Sequence, residues 1–429
     1  MESKNIKSAT ESRYGMDGDA LDSASGSYSG TSSNSGGGQG GFVSTALSSV
    51  MSRWSRRTGK QRQDGQGDIK GRGGAASENN TETPPFALLK LIETAKHNMH
   101  RIAVAWDITA IHLHMIASKN DDSRLRVFCT NSLAQLTTAA LQRMRDGEGQ
   151  TGISQSDILQ PLCRCYQSTF NNTRQITLIS IETLLKACGH TLSDGWTDVI
   201  SLLGSVATGA GGEGDESQEE VEMIPIGFRS LQLVADEFLE SLTSPKGLAE
   251  CLLCLSSYAK QTVDLNISLT AIGAIWAMTD FVRQLLEKKP TEEGADELWM
   301  CIVTILQKLS LDSRAPVRNS AMKTLFTTLA THGSTLSNTI WERVIASDGL
   351  LFTLLSSATR KQEEHRGEEA HPQSPGKSGA GASGYMVVHH SRDTSYKQWN
   401  ESRVIALEGE GLLFLLCAYR SSPPTPLPF

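Results

Sequence analysis

The sequence predicts an all-α protein, a solenoid of stacked helix pairs, and three observations carry that prediction. First, Leu298 to Trp341 reads as two helices joined by a short corner. Ile302, Ile305, Leu306 and Leu309 fall at i, i+3, i+4 and i+7, an apolar stripe along one helix face. The stretch Asp312 to Pro316 breaks the pattern, and Pro316 suits the first turn of a new helix, where a missing N–H costs nothing. Val317, Ala321, Met322, Leu325, Phe326 and Leu329 make the second stripe, and Gly333 supplies a stop. Second, the pair recurs. Counting from Arg318, small or apolar residues stand at Ala321, Leu325 and Leu329; the same offsets from Arg174 reach Thr177, Ile181 and Leu185, and from Arg126 they reach Cys129, Leu133 and Thr137. The run Asp264 to Thr270 matches Asp312 to Arg318 without the arginine. The anchor positions 126, 174, 270 and 318 are separated by 48 residues or twice that, close to the ~40–47 residues of HEAT and armadillo units. Third, one such pair cannot bury its own apolar faces, so the copies must stack on one another. The chain is therefore expected to be an α-solenoid of HEAT/armadillo-like helical repeats, with a disordered N-terminal region and linkers.

Taken in order, residues 1–85 are rich in Gly and Ser and too poor in apolar residues to fold on their own. Within them, residues 42–62 form a separate pattern. Phe42, Leu47, Met51 and Trp54 belong to an apolar face, and Arg56 and Arg57 belong to a basic end, as in a helix lying at a membrane interface. A disordered segment with a partner-docking face fits the same residues. The helical domain spans residues 86–360, with stripes at about 86–117, 124–145, 154–168, 173–188 and 194–207. Residues 209–224 read as an acidic disordered insertion that occupies the place of the copy near 222. Stripes resume at about 227–242, 247–259, 265–287, 296–309, 315–331 and 338–357. Residues 361–384 are a linker, 385–409 a further block ending in a helix, and 410–429 an atypical tail closing on prolines.

Composition narrows the function. Net charge is −7, which argues against nucleic acid as the main partner. The longest uninterrupted apolar run, Leu412 to Ala418, is far shorter than the ~20 residues of a spanning helix. No transmembrane segment is expected, and any membrane contact is peripheral. The eight cysteines sit on helical faces; Cys251 and Cys254 have zinc-ligand spacing but no second pair, and read as core residues. Gly209, Gly211 and Gly214 satisfy a dinucleotide-binding pattern in the wrong context, after a helix and before a run of acids. Gly376-Lys377-Ser378 lacks the earlier glycine of a phosphate loop. His389 and His390 have no third ligand at a fixed helical offset. His112 and His114 read as packed or half-exposed helix residues. No nucleophile stands with a base and an orienting group, so no enzyme activity, metal or cofactor is expected.

Several runs resemble one family closely: HNMHRI at 97–102, FRSLQLVADEFL at 228–239, DLNISLTAIGAIWAMTDFV at 264–282, the long stretch 298–341, and HHSRDTSYKQWNES at 389–402. They are similar to the Mon-two family of large Golgi and endosome trafficking proteins, related to Sec-seven-type Arf exchange factors. The likeness covers residues 86–408. It implies the helical repeats downstream of the exchange domain, which the family itself lacks. It also implies a peripheral scaffold on Golgi, trans-Golgi-network or endosomal membranes, acting in vesicle-mediated protein transport with Dopey-type partners and Arf-family GTPases. Direct regulation of nucleotide exchange through the solenoid is the alternative. Residues 1–85 carry no counterpart of the family's amino-terminal helices, and the family pattern is expected to stop at Gly409, so the chain reads as a fragment or a gene model with a mistaken end. The block His389, His390, Arg392, Lys397 and Trp399 has residue types suited to anchoring a partner, and Trp399 fits a cap on the last repeat as well. The repeat anchors are Arg126, Arg174, Asp264, Asp312 and Arg318, with the arginines expected to meet an acid of a neighbouring layer: Asp121, Asp122, Asp264 or Asp312.

Overall fold

The computed structural model describes residues 84–145, 152–209, 218–242, 244–288, 294–346, 349–366 and 394–421. The chain divides into two units, Met1–Ala75 and Ala76–Phe429, and every described residue belongs to the second. Phe42, Leu47, Met51, Trp54, Arg56, Arg57, His389, His390 and Arg392 lie outside the described residues.

Among the described residues there are fourteen α-helices and no strand. They are α1 (Phe86–His97), α2 (Ile102–Lys119), α3 (Ser123–Arg145), α4 (Gln155–Arg164), α5 (Asn171–Cys188), α6 (Trp196–Gly209) and α7 (Gln218–Glu237). After these come α8 (Pro245–Lys260), α9 (Leu265–Lys288), α10 (Ala295–Leu309), α11 (Ala315–His332), α12 (Asn338–Ile345), α13 (Leu350–Glu364) and α14 (Ser395–Ser421). Local chemistry sets many of their starts. Ser154 and Asp157 form a capping box at α4. Ser244 accepts from the Gly247 N–H at α8, where Pro245 opens the helix, and a proline likewise stands in the first turn of α11.

The helices stack in two rows. In the first, α2, α4, α6, α8, α10 and α13 each touch the next; in the second, α3, α5, α7, α9, α11 and α14 do the same. Within a rung α2 packs on α3, α6 on α7, α8 on α9, α10 on α11 and α13 on α14, and α5 meets its partner through the 3₁₀ turn Cys165–Gln167. One continuous core runs between the rows, from Leu88 through Leu185, Leu231 and Leu325 to Leu413. Contact between neighbours in a row and partners in a rung is the solenoid the period implied.

The differences from the sequence reading are local. The stripe expected over 86–117 is broken at Asn98, where a 3₁₀ turn separates α1 from α2. The acidic insertion is shorter than 209–224, because α7 begins at Gln218 and already buries Met223 and Ile224. The helix after residue 395 passes Gly409 unbroken and buries Leu413. α9 is long and apolar enough to cross a membrane by length and composition. Here it is a core helix: Ile267, Ala271, Ile275, Met278 and Val282 are buried, and α7, α8 and α11 pack around it.

Burial also corrects the period. Arg126, Arg174 and Arg318 occupy equivalent places at the start of α3, α5 and α11, but Thr270 does not: it is exposed, and the buried residue in that place is Ser268. In α7 the place falls to Ile224. The steps along the second row are thus 48, 50, 44 and 50 residues. Asp264 directly precedes its helix, whereas Asp312 stands three residues before α11, which is why an in-register comparison of the two corners misplaced the helix face by two.

Candidate partner-binding surface and the corner ladder

The corners that lead into the second row share one turn. The side-chain oxygens of Asn120, Ser168, Asp264 and Asp312 accept from the backbone N–H two residues on, at 2.8, 3.2, 2.7 and 2.9 Å. A short polar side chain closing its own backbone in this way fixes a turn.

The anchor arginines brace these turns. Arg318 Nη1 donates to the carbonyls of Asp312 and Ser313, and Arg126 Nη1 to those of Asn120 and Asp121, the same two places in each corner. Both also reach the next rung. Arg126 donates to Asn172 Oδ1 and stacks over Phe170, 3.7 Å from the ring centre. Arg318 donates to Ser402 Oγ at 2.8 Å and stacks over Trp399 at 4.1 Å. Arg174 lies over Tyr166 and donates to its hydroxyl. The expected acid acceptors are therefore replaced by carbonyls, an amide, hydroxyls and aromatic faces. The Asp312 carboxylate is paired with Arg314 instead. Burial explains the choice: a buried guanidinium is stabilised by several hydrogen bonds and a ring face without a second charge having to be desolvated.

Where Ser268 leaves the anchor place short, Arg314 fills it from the next corner. Its Nη1 donates to Gln261 O and Ser268 Oγ, and its Nη2 to Ala259 O and Lys260 O, while Asp312 holds it at 2.9 Å. We expect Arg314→Ala to lower stability by about 1–3 kcal/mol, read by urea unfolding. A change within error would show that the corner does not need the reach from the next rung.

Trp399 is 4% exposed, so it is a packing residue of the last rung and not a surface anchor. Lys397, two residues before it, is exposed. Cys251 and Cys254 are both buried in α8, and burial pushes the Cys251 thiol up to about 12. His114 is half-buried beside Cys165 Sγ and Ser118 Oγ.

His332 ends α11 in a slot between Trp276 and Trp299, whose ring centres lie 5.6 and 5.8 Å away. It is buried, and neither ring nitrogen has a hydrogen-bond partner among the described residues. Burial holds its pKa below the ordinary 6.5, against the pull of Asp280 and with a small push from Arg283. A depressed folded-state pKa means the unfolded chain takes up the proton first. Its contribution is present above about pH 6.5 and is lost as pH falls below it. His114 is lowered by burial too and acts in the same sense. We expect melting temperature to fall between about pH 7 and pH 5.5, and His332→Phe to flatten that slope. An unchanged slope in the variant would leave His114 and the carboxylates responsible.

Two faces stand outside this network. On α2, Val104, Ile108, Ile111 and Met115 form an exposed aliphatic stripe opposite the buried Trp106, Ala110, Leu113 and Ala117. Between α6 and α8 runs an open groove of about 370 Å³, lined by Ser201, Gly204, Thr208, Glu250, Leu253 and Ser257 among others. Sequence reasoning missed Arg314, Asn172, Ser402 and the α2 stripe. The polar residues at 120, 168, 264 and 312 were a visible signal for the corners.

Comparison with known proteins places this architecture. A family model described as the C-terminal region of Mon2 protein matches residues 290–419, and one described as Mon2/Sec7/BIG1-like, HDS matches residues 144–213. The Protein MON2 homolog of Drosophila melanogaster is 32% identical over 348 residues, 77% of this chain and 19% of its own length. The human Protein MON2 homolog is 30% identical over 373 residues, 80% of this chain and 20% of its own. The chain resembles the Mon2 family. Its match runs past Gly409 to residue 419, as α14 does, so the stop expected at Gly409 is not there. A more distant likeness reaches the Brefeldin A-inhibited guanine nucleotide-exchange protein 1 of Arabidopsis thaliana, 25% identical over 303 residues, 63% of this chain and 17% of its own length. The chain spans about a fifth of the length of the Mon2 relatives it matches.

Proposed function

We propose that this chain is a non-enzymatic interaction scaffold in Golgi and endosome vesicle-mediated transport, holding trafficking partners against peripheral membrane sites. The observation that carries the reading is the α2 stripe: four exposed aliphatic side chains in line on a helix whose opposite face is already core. A helix that is apolar all round is ordinarily covered on both sides, and a partner helix laid along such a stripe is a common mode of recognition. The likeness to MON2 homologues supports the trafficking role, and Dopey-type proteins and Arf-family GTPases are the partners to test. Lys397, with His389, His390 and Arg392 preceding it in sequence, is a second contact.

The test is co-purification of the chain with a Dopey-type partner. Ile108→Glu with Ile111→Glu is expected to weaken binding while leaving the unfolding midpoint in place, and Arg392→Glu with Lys397→Glu to weaken it less. Undiminished binding by both double variants would remove these surfaces from the reading. The basic segment is tested separately: a peptide of residues 42–62 is expected to gain helicity on anionic vesicles and lose it with salt. Likeness to exchange proteins favours a second reading, regulation of Arf-type nucleotide exchange. A concentration-dependent acceleration of nucleotide release by the purified chain would favour that reading over the scaffold.

A further inference from the structure

Two hydroxyl groups lie deep in the core in the middle of the stack. Tyr258 on α8 and Ser230 on α7 are both fully buried, and neither Tyr258 Oη nor Ser230 Oγ has a hydrogen-bond partner among the described residues. Other buried hydroxyls of this core are settled within their own helix: those of Thr130, Thr177 and Ser310 each donate to the carbonyl four residues back. Ser230 makes no such bond. Buried polar groups are almost always paired, and an unpaired one costs more than an ordinary hydrogen bond contributes.

Gly227 brings the two together. The Tyr258 ring packs beside Phe228, 5.4 Å from centre to centre. Its hydroxyl lies against the α7 backbone at Gly227, where an added Cβ would overlap Oη and crowd Val206 of α6 as well. A glycine in a helix interior is costly relative to alanine, and here the tyrosine hydroxyl is the reason for it. Ser230 stands three residues on, and helix positions at that spacing are neighbours about 5–6 Å apart. A single water bonded to two oxygens holds them about 5 Å apart. Burial keeps the Tyr258 pKa well above its ordinary value, so the phenol retains its proton and has a donor to place. The serine hydroxyl can donate or accept. Neither group is charged, so the ligand that fits both is a neutral molecule the size of water.

We propose that a buried water links Tyr258 Oη to Ser230 Oγ, and that Gly227 is the residue that admits the tyrosine to it. The site is a polar tie between two rungs: α7 pairs with α6, and α8 with α9. It does for the middle of the stack what the anchor arginines do at the corners, with a neutral bridge in place of a guanidinium. A bridging water is nearly as favourable as a direct bond, and unlike apolar packing it fixes direction as well as contact.

Urea unfolding of the full chain tests the tie through two near-isosteric deletions, Tyr258→Phe and Ser230→Ala. Each is expected to raise the unfolding equilibrium constant by about fivefold, the scale of one lost hydrogen bond. The double variant is expected to raise it no further than the larger single change, because both deletions remove the same water. An unchanged or lowered constant in the single variants overturns the proposal, since deleting an unpaired hydroxyl stabilises a core. Losses that add in the double variant overturn it too, because they put the hydroxyls on separate partners. Gly227→Ala is expected to be destabilising, and Tyr258→Phe in that background to recover part of the loss, as Cβ and Oη compete for one place. No recovery would take the hydroxyl away from Gly227 and the tie with it. A crystal structure of the chain is expected to show an ordered water within about 3.2 Å of both oxygens. A direct Tyr258–Ser230 bond, or no ordered atom between the two, overturns the proposal.

Discussion

Trp399→Ala is expected to lower the unfolding free energy by about 3–5 kcal/mol, the range for removing a buried aromatic side chain. The ring is 4% exposed and supports the Arg318 guanidinium at 4.1 Å, so its loss opens a cavity and uncovers a buried charge together. Burial already holds the Arg318 pKa below its ordinary value, so that cation has no water to fall back on. Trp399→Phe keeps a ring face and is expected to cost clearly less. A double-mutant cycle with Arg318→Met should show a coupling of about 0.5–3 kcal/mol, as for residues in direct contact. Loss of partner binding with no change in stability would return Trp399 to the surface role its residue type suggested.

Leu325→Ala is expected to cost about 2–5 kcal/mol, since its side chain is fully buried on α11 where α9, α10 and α14 converge. The matched control is Ile108→Ala on the exposed stripe of α2, expected within about 0.5 kcal/mol. Equal losses at the two positions would mean that the ladder is not the main source of stability.

These residues show what the sequence could disclose. Leu325, Leu329 and Ile181 announced their burial through a period of 3.6, because a helix with one core face must repeat its apolar residues at that interval. Arg126, Arg174 and Arg318 announced the rungs through their spacing. The partners of those arginines were not legible: Asn172, Ser402 and the carbonyls of the corners are brought to them by stacking, and nothing local marks a carbonyl that needs a donor. Trp399 was left between a partner anchor and a cap on the last repeat for the same reason, because a tryptophan under a buried arginine and one at an interface have the same sequence signature. The α2 stripe was hidden in its own apolarity, since the sequence of a helix apolar on both faces does not say which face the core takes.

The uneven steps of the second row, 48, 50, 44 and 50 residues, have a consequence for how such a chain can change. Each corner sets the phase of its own helix, through a turn closed by one short side chain and, where an arginine is at hand, a brace. A connection lengthened by two residues is made good one rung later and does not rotate every helix downstream. The spans between rungs are therefore places where length is free, as loop-closure entropy grows only slowly with added residues. The segment between α6 and α7, residues 210–217, is the natural place to insert a reporter or an epitope, and the burial of α9 and α11 should survive it. Ancestral gains and losses of sequence would be absorbed at the same joints, leaving the stacking faces as the part held constant while the intervals between them drift.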